Sequence, residues 1–147
     1  MELLNEGGLL AFITSRGIAD TPGNKFVREY LVNHADLISA IRLPDMLFMQ
    51  TSGIEVGSDL LIFQKHTRKA ALSQREQLFL QVGREKADAT GTMTEYANKL
   101  FTIPKTTLAT GSRIVQNQYG KYVRKYQWQG NENAMSQYLA ALLKLDF

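Results

Sequence analysis

Apolar and polar positions along this chain follow two rhythms, and the changes between them outline its elements. Leu9 to Thr14 is an almost unbroken apolar run, the pattern of a strand covered on both faces. Met1 to Asn5 before it reads as the last turn of a helix, stopped by Glu6-Gly7-Gly8 because glycine tolerates a left-handed helix end. A phosphate cradle is the rarer use of such a glycine pair. Ser15 to Thr21 reads as a loop. Thr21 is a candidate helix cap, and Pro22 suits a first turn. Phe26, Val27, Tyr30 and Leu31 then recur at helical spacing, which predicts an amphipathic helix from Pro22 to His34. Leu37 to Leu43 is a second strand, Pro44 to Gly57 a polar loop, and Asp59 to Lys65 a third strand.

This order carries a topology. A strand, a helix and a strand form a parallel crossover. No helix long enough to return the chain separates the second strand from the third, so the third runs antiparallel. The expected sheet has Leu9–Thr14 and Leu37–Leu43 parallel, with Asp59–Lys65 antiparallel and hydrogen-bonded between them. The loops Ser15 to Thr21 and Pro44 to Gly57 then share the edge at the carboxyl ends of the parallel strands, where open α/β sheets bind ligands.

The rhythm changes after residue 70, which divides the chain into 1–70 and 71–147. Ala71 to Lys86 reads as a helix with Leu72, Phe79 and Val82 on one side, and Ala87 to Thr94 as a small, polar linker. Tyr96 to Asn131 contains no acidic residue but holds Lys99, Lys105, Arg113, Lys121, Arg124 and Lys125. Phe101, Tyr119, Tyr122, Tyr126 and Trp128 are interleaved with them. Cations beside stacking rings are the ingredients of nucleic-acid contact. The alternative is a β-hairpin turning near Tyr119-Gly120, with aromatics buried and cations solvated; the alternation of Tyr122, Arg124, Tyr126 and Trp128 fits one strand face. Both readings stand on the sequence alone. Glu132 to Leu145 closes the chain as an amphipathic helix through Met135, Tyr138, Leu142 and Leu145.

Composition narrows the classes. The 147 residues are 44% hydrophobic and 21% charged, enough for a folded core. With no cysteine, disulfides and thiolate metal sites are excluded, which fits a reducing cytosol. The short apolar run Leu9 to Ile13 is neither a membrane span nor a signal peptide. The net charge of +3 mildly favours an anionic partner. His34 and His66 are far apart in sequence, and no metal site is expected from them. Glu55 and Asp59 lie at a strand entry, where an acid–base pair is one reading and solvated or capping carboxylates the commoner one.

Several of these residues carry a family resemblance. Leu3-Leu4-Asn5-Glu6-Gly7-Gly8, followed by Leu9 to Thr14, resembles the helix end and fifth strand of class I methyltransferases, whose helix ends in Leu-Leu-Lys-Pro-Gly-Gly. Phe26 to Leu31, Ile41-Arg42-Leu43-Pro44, Thr51 and Glu55-Val56-Gly57-Ser58-Asp59 continue the match. The pattern is similar to adenine-specific DNA methyltransferases of the type I modification-subunit kind, above all the bacterial methylase-helicase proteins of mobile elements. It covers Met1 to about Arg68, and Asn98 to Gly120 resembles a segment that follows the catalytic domain in the fused proteins.

The resemblance implies an α/β fold: a partial Rossmann-like methyltransferase sheet, mixed and made of its last three strands, with a helical and β-hairpin C-terminal extension. It implies methyl transfer from S-adenosylmethionine to adenine in DNA, on a base taken out of the stack. Arg16, Asp20, Thr51, Ser52 and Glu55 would fall on the DNA-facing rim. Lys99, Lys105, Arg113, Lys121, Arg124, Lys125, Tyr122 and Trp128 would be the DNA-binding residues of the extension. The departures are equally specific. Pro22, Pro44 and Pro104 are the three prolines and none is adjacent to another, so the Asn/Asp-Pro-Pro-Tyr/Phe motif that holds the target adenine is absent. No glycine-fingerprint loop precedes the match. The expectation is therefore a fragment of such an enzyme in a bacterial cytoplasm, with no catalytic residue and no S-adenosylmethionine binding of its own. Its expected partners are DNA and the missing N-terminal half or a fused helicase, and not a membrane. The alternative is a non-catalytic DNA- or protein-binding module. In the fragment reading Leu9–Thr14 lacks a neighbour on one side, which self-association, or cover by the back segment, would supply.

Overall fold

A computed structural model describes residues 3–45, 57–86, 93–116 and 122–147. The fold is mixed α/β, with small, mostly antiparallel sheets and several helices. Residues 3–8 form turns in place of the expected helix end; Gly7, at φ +81°, adopts the left-handed conformation that glycine accepts without strain. Strand β1 (Leu9–Ser15) runs directly into a short helix, α1 (Arg16–Asp20), where a loop was expected. The reason lies outside the segment: buried Arg28 donates to the carbonyls of Ile18 and Thr21 at 2.8 and 2.9 Å, satisfying the end of that turn. Thr21 makes no side-chain cap; Pro22–Asn24 form a 3-10 turn and α2 spans Lys25–His34.

Strands β2 (Ala35–Arg42) and β3 (Ser58–Lys65) complete the first sheet, whose order is β1-β3-β2. β3 is antiparallel to both neighbours, with Phe12 opposite Leu61 on one side and Ile41 opposite Leu60 on the other. β1 and β2 thus point the same way with β3 between them, as the order of elements predicts. One face of this sheet packs Leu37, Ala40, Leu61 and Phe63 against Val32 of α2, with Phe79, Leu100 and Phe101 from beyond residue 70 in the same cluster. Ile41 meets Leu108 and Leu142 in a second cluster.

The back segment departs from expectation at its start. Helix α3 is only Gln74–Phe79, and Val82–Lys86 is strand β4 instead of its continuation. Ser73 and Glu76 form a capping box that fixes the first turn. Gly83 costs a helix about 1 kcal/mol relative to Ala, whereas as a strand residue it pairs with Ala97. The expected linker also ends early, because Met93 and Thr94 open strand β5 (Met93–Asn98). A 3-10 turn, Lys99–Thr102, leads on to β6 (Gly111–Gln116), β7 (Tyr122–Gln127) and α4 (Glu132–Lys144). The second sheet has the order β4-β5-β7-β6. β6 and β7 are the antiparallel pair of the expected hairpin; its turn lies outside the described residues. Among the described residues no helix is long and apolar enough to cross a membrane.

Candidate functional site

The site is built where the second sheet opens. β5 and β7 are joined by a single parallel bridge, Thr94 to Tyr122. Beyond it, the backbone groups of β7 that point away from β6 bond to side chains and loop atoms of the front half. Arg16 Nη1 donates to the Arg124 carbonyl at 2.9 Å. Asp45 Oδ1 accepts from the Tyr126 amide at 2.8 Å, and the Asp45 amide donates to the Tyr126 carbonyl at 3.0 Å. β5 is met in the same way: Asp20 Oδ1 accepts from the Asn98 amide at 2.9 Å, and Asn98 Nδ2 donates to the Ala19 carbonyl at 2.7 Å. Buried backbone groups must be paired, and here polar groups from α1 and the end of β2 replace the ladder. The sheet therefore parts into a cleft of about 530 Å³.

Arg42, Arg84, Lys99 and Arg124 line this cleft together with Phe101 and Tyr126, and no acidic residue is among the described lining residues. Arg42 forms the floor. It is 1% exposed and donates to Asp59 at 2.8 and 3.0 Å and to Asp20 at 2.8 Å, with its guanidinium 4.1 Å from the Phe101 ring centre. Burial alone would lower its pKa, but Asp59 and then Asp20 more than reverse this, so the guanidinium is held more firmly charged than an ordinary arginine. Burial pushes the Asp59 carboxyl up, against the pull of Arg42; the two short, charge-assisted bonds are those of an ionised pair. Arg84 lies over the Tyr96 ring at 4.5 Å. Arg124 Nη1 donates to Ser112 Oγ at 2.9 Å.

The residues singled out from sequence fall into three groups. Lys99 and Arg124 meet at the cleft, with Tyr122, Arg124 and Tyr126 on one face of β7 as the alternation predicts. Arg113 and Lys125 are cross-strand partners on the opposite face, Lys105 is exposed, and the Trp128 ring packs beside Tyr138 at 5.8 Å in the cluster under α4. Arg16 and Asp20 form a 3.4 Å ion pair, and both brace the cleft walls. Gly57 leaves the room that Arg16 needs, because a Cβ there would collide with the Arg16 stem. Thr51, Ser52, Glu55 and Lys121 lie outside the described residues. Asp59 is neither solvated nor a cap: it is fully buried on Arg42. His34 bonds the Tyr30 carbonyl and His66 the Asp36 carboxylate; among the described residues no cluster of three metal-ligating side chains occurs.

Sequence reasoning missed Arg84, Asp45 and the role of Arg42. Arg84 falls within the expected helix Ala71 to Lys86, and Asp45 meets its partner 81 residues away, with no local signal. No protein-family model matches the chain, and no curated protein matches it.

Proposed function

We infer that this chain supplies the last three strands and the DNA-facing rim of an adenine-specific DNA methyltransferase, a partial Rossmann-like sheet completed by another portion of the enzyme. The observation that carries the reading is β1. The strand is apolar on both faces, yet β3 is its only sheet neighbour among the described residues, and Leu9 and Ile13 are 55% and 53% exposed. A long apolar edge strand without charge or proline templates pairing with another strand. The β1-β3-β2 order supports the same reading, because it is the arrangement with which the sheet of that enzyme class ends. The portion that completes the sheet would bring the glycine-rich cofactor loop and the proline motif that holds adenine. This chain contributes no catalytic group; its part is to close the sheet and present cations to the DNA.

The test is to read the frame upstream of this segment, express the joined polypeptide, and measure transfer of labelled methyl from S-adenosylmethionine to adenine in DNA. Methyl transfer by the joined protein, with no saturable heat when S-adenosylmethionine is titrated into the isolated chain, is the expected result. An upstream frame lacking both motifs, or cofactor binding by the chain alone, refutes it. A second reading, a non-catalytic nucleic-acid-binding module, is favoured by the cations around the cleft. It gains if the joined protein binds DNA without methylating it.

A further inference from the structure

We propose that the cleft between β5 and β7 is a phosphate site that takes the phosphate ester of a nucleotide, with Arg84, Lys99 and Arg124 around the phosphate. The three cations come from three elements, β4, the 3-10 turn after β5, and β7, and converge on one cavity. A cation on each of three elements makes a concave positive site, which gathers an anion more effectively than the same charges spread on a convex surface. Arg42 adds no net positive charge, because Asp59 balances it, and its second partner, Asp20, also pairs with Arg16. It stiffens the floor instead. The walls are held apart by hydrogen bonds from Arg16, Asp20 and Asp45, so the cavity is formed before any ligand arrives. Preorganisation of this kind removes an ordering cost from binding. Phe101 and Tyr126 supply aromatic wall beside the cations, which suits the sugar and base attached to the phosphate.

Gly83 separates this site from a general basic surface. It lines the cleft, and a Cβ there would lie 3.3 Å from Lys99 Cε. A large side chain at this position fills the space beside Lys99 without changing any charge. The site is independent of the methyltransferase reading: it predicts where phosphate binds, whatever the chain is attached to.

The phosphate ester has two sources, a free nucleotide or a single strand of DNA, and two probes separate them. Thymidine monophosphate is titrated into the full chain and followed by amide chemical shifts; a labelled oligothymidylate is followed by fluorescence anisotropy. The variants are Arg84→Gln, Gly83→Leu and, as a remote charge control, Lys25→Gln, whose side chain is exposed beside Glu29. Backbone amide spectra establish that each variant is folded. Arg84→Gln is expected to weaken binding about 10-fold and to reduce the salt slope by about one. Gly83→Leu is expected to abolish it at unchanged net charge, while Lys25→Gln changes it less than about 2-fold, the scale of a charge outside the site. Binding of both probes makes the phosphate sufficient, and cleft-dependent binding of the oligonucleotide alone makes the strand the source. Equal losses in Arg84→Gln and Lys25→Gln, full binding by folded Gly83→Leu, or no binding of either probe by the wild type would overturn the proposal.

Discussion

Among the strand edges that no neighbouring strand fully occupies in the described residues, the inner edge of β7 and the outer edge of β1 are treated differently. The inner edge of β7 parts from β5 after one bridge, and its backbone groups are taken up by Arg16 and Asp45. The outer edge of β1 receives no comparable cover among the described residues; the expected cover by Ala71 to Lys86 is not what forms, since α3 packs on β2 and the 3-10 turn after β5. The contrast separates a finished edge from an unfinished one. Polar side chains placed to satisfy N–H and C=O groups hold β7 apart from β5 at the cleft. An apolar strand with Leu9, Ala11 and Ile13 on its exposed face is suited to a neighbouring strand.

The largest effect is expected at the centre shared by both regions. Arg42→Ala leaves Asp59 buried without a counter-charge and should cost about 3–5 kcal/mol, read from urea unfolding. The double variant Arg42→Met, Asp59→Leu should recover most of that loss, because it removes both charges from the interior. A loss under about 1 kcal/mol in the single variant, the scale of an exposed pair, would mean that the pair is not desolvated.

Asp45→Ala tests the finished edge. It removes the acceptor of the Tyr126 amide and should cost about 1–3 kcal/mol locally. Hydrogen exchange at Tyr126 should accelerate about 10-fold or more, with the Leu61 amide in β3 little changed. Equal acceleration at both positions would show that Asp45 supports the whole molecule and not the cleft wall.

How legible this was in the sequence depended on the range of the interactions. The strands of the first sheet were readable because Leu9–Thr14 and Asp59–Lys65 are apolar runs of strand length, and the helix between the first two strands fixed their common direction; the burial that the run Leu9–Thr14 implies is not met, since Leu9 and Ile13 are exposed. The β4 strand was not, because Leu72, Phe79 and Val82 fit a helical face as well as the end of a short helix followed by a strand. Only the Ser73–Glu76 capping box marked the true start, and only Gly83 argued against continuation. The cleft was half legible. An acid-free stretch pointed to Lys99 and Arg124, but their convergence with Arg84 depends on strand pairing and on Asp20 and Asp45, which act across long sequence separations.

The smallest expected effect lies at the entry to β1. Glu6 accepts from the Thr67 amide and hydroxyl, both at 3.0 Å, which hold its carboxyl below the ordinary glutamate value. A depressed carboxyl contributes its stability above the ordinary value and loses it as pH falls through the lowered one. The Thr67 amide shift should therefore titrate below the usual glutamate range, and Glu6→Gln should abolish the transition. A midpoint at or above that range would remove the clasp from the account.

The unfinished edge itself is tested by amide exchange in β1. The Arg16–Gly57 and Lys65–Gly8 bonds set the alternation, so the amides of Leu9, Ala11 and Ile13 point away from β3. They should exchange rapidly in the dilute isolated chain, while Tyr126 stays protected. In the joined polypeptide of the proposed enzyme, the same three amides should become protected together as a neighbouring strand forms. Fast exchange at Leu9, Ala11 and Ile13 in the folded, joined protein would contradict the claim that β1 is an interior strand of a larger sheet.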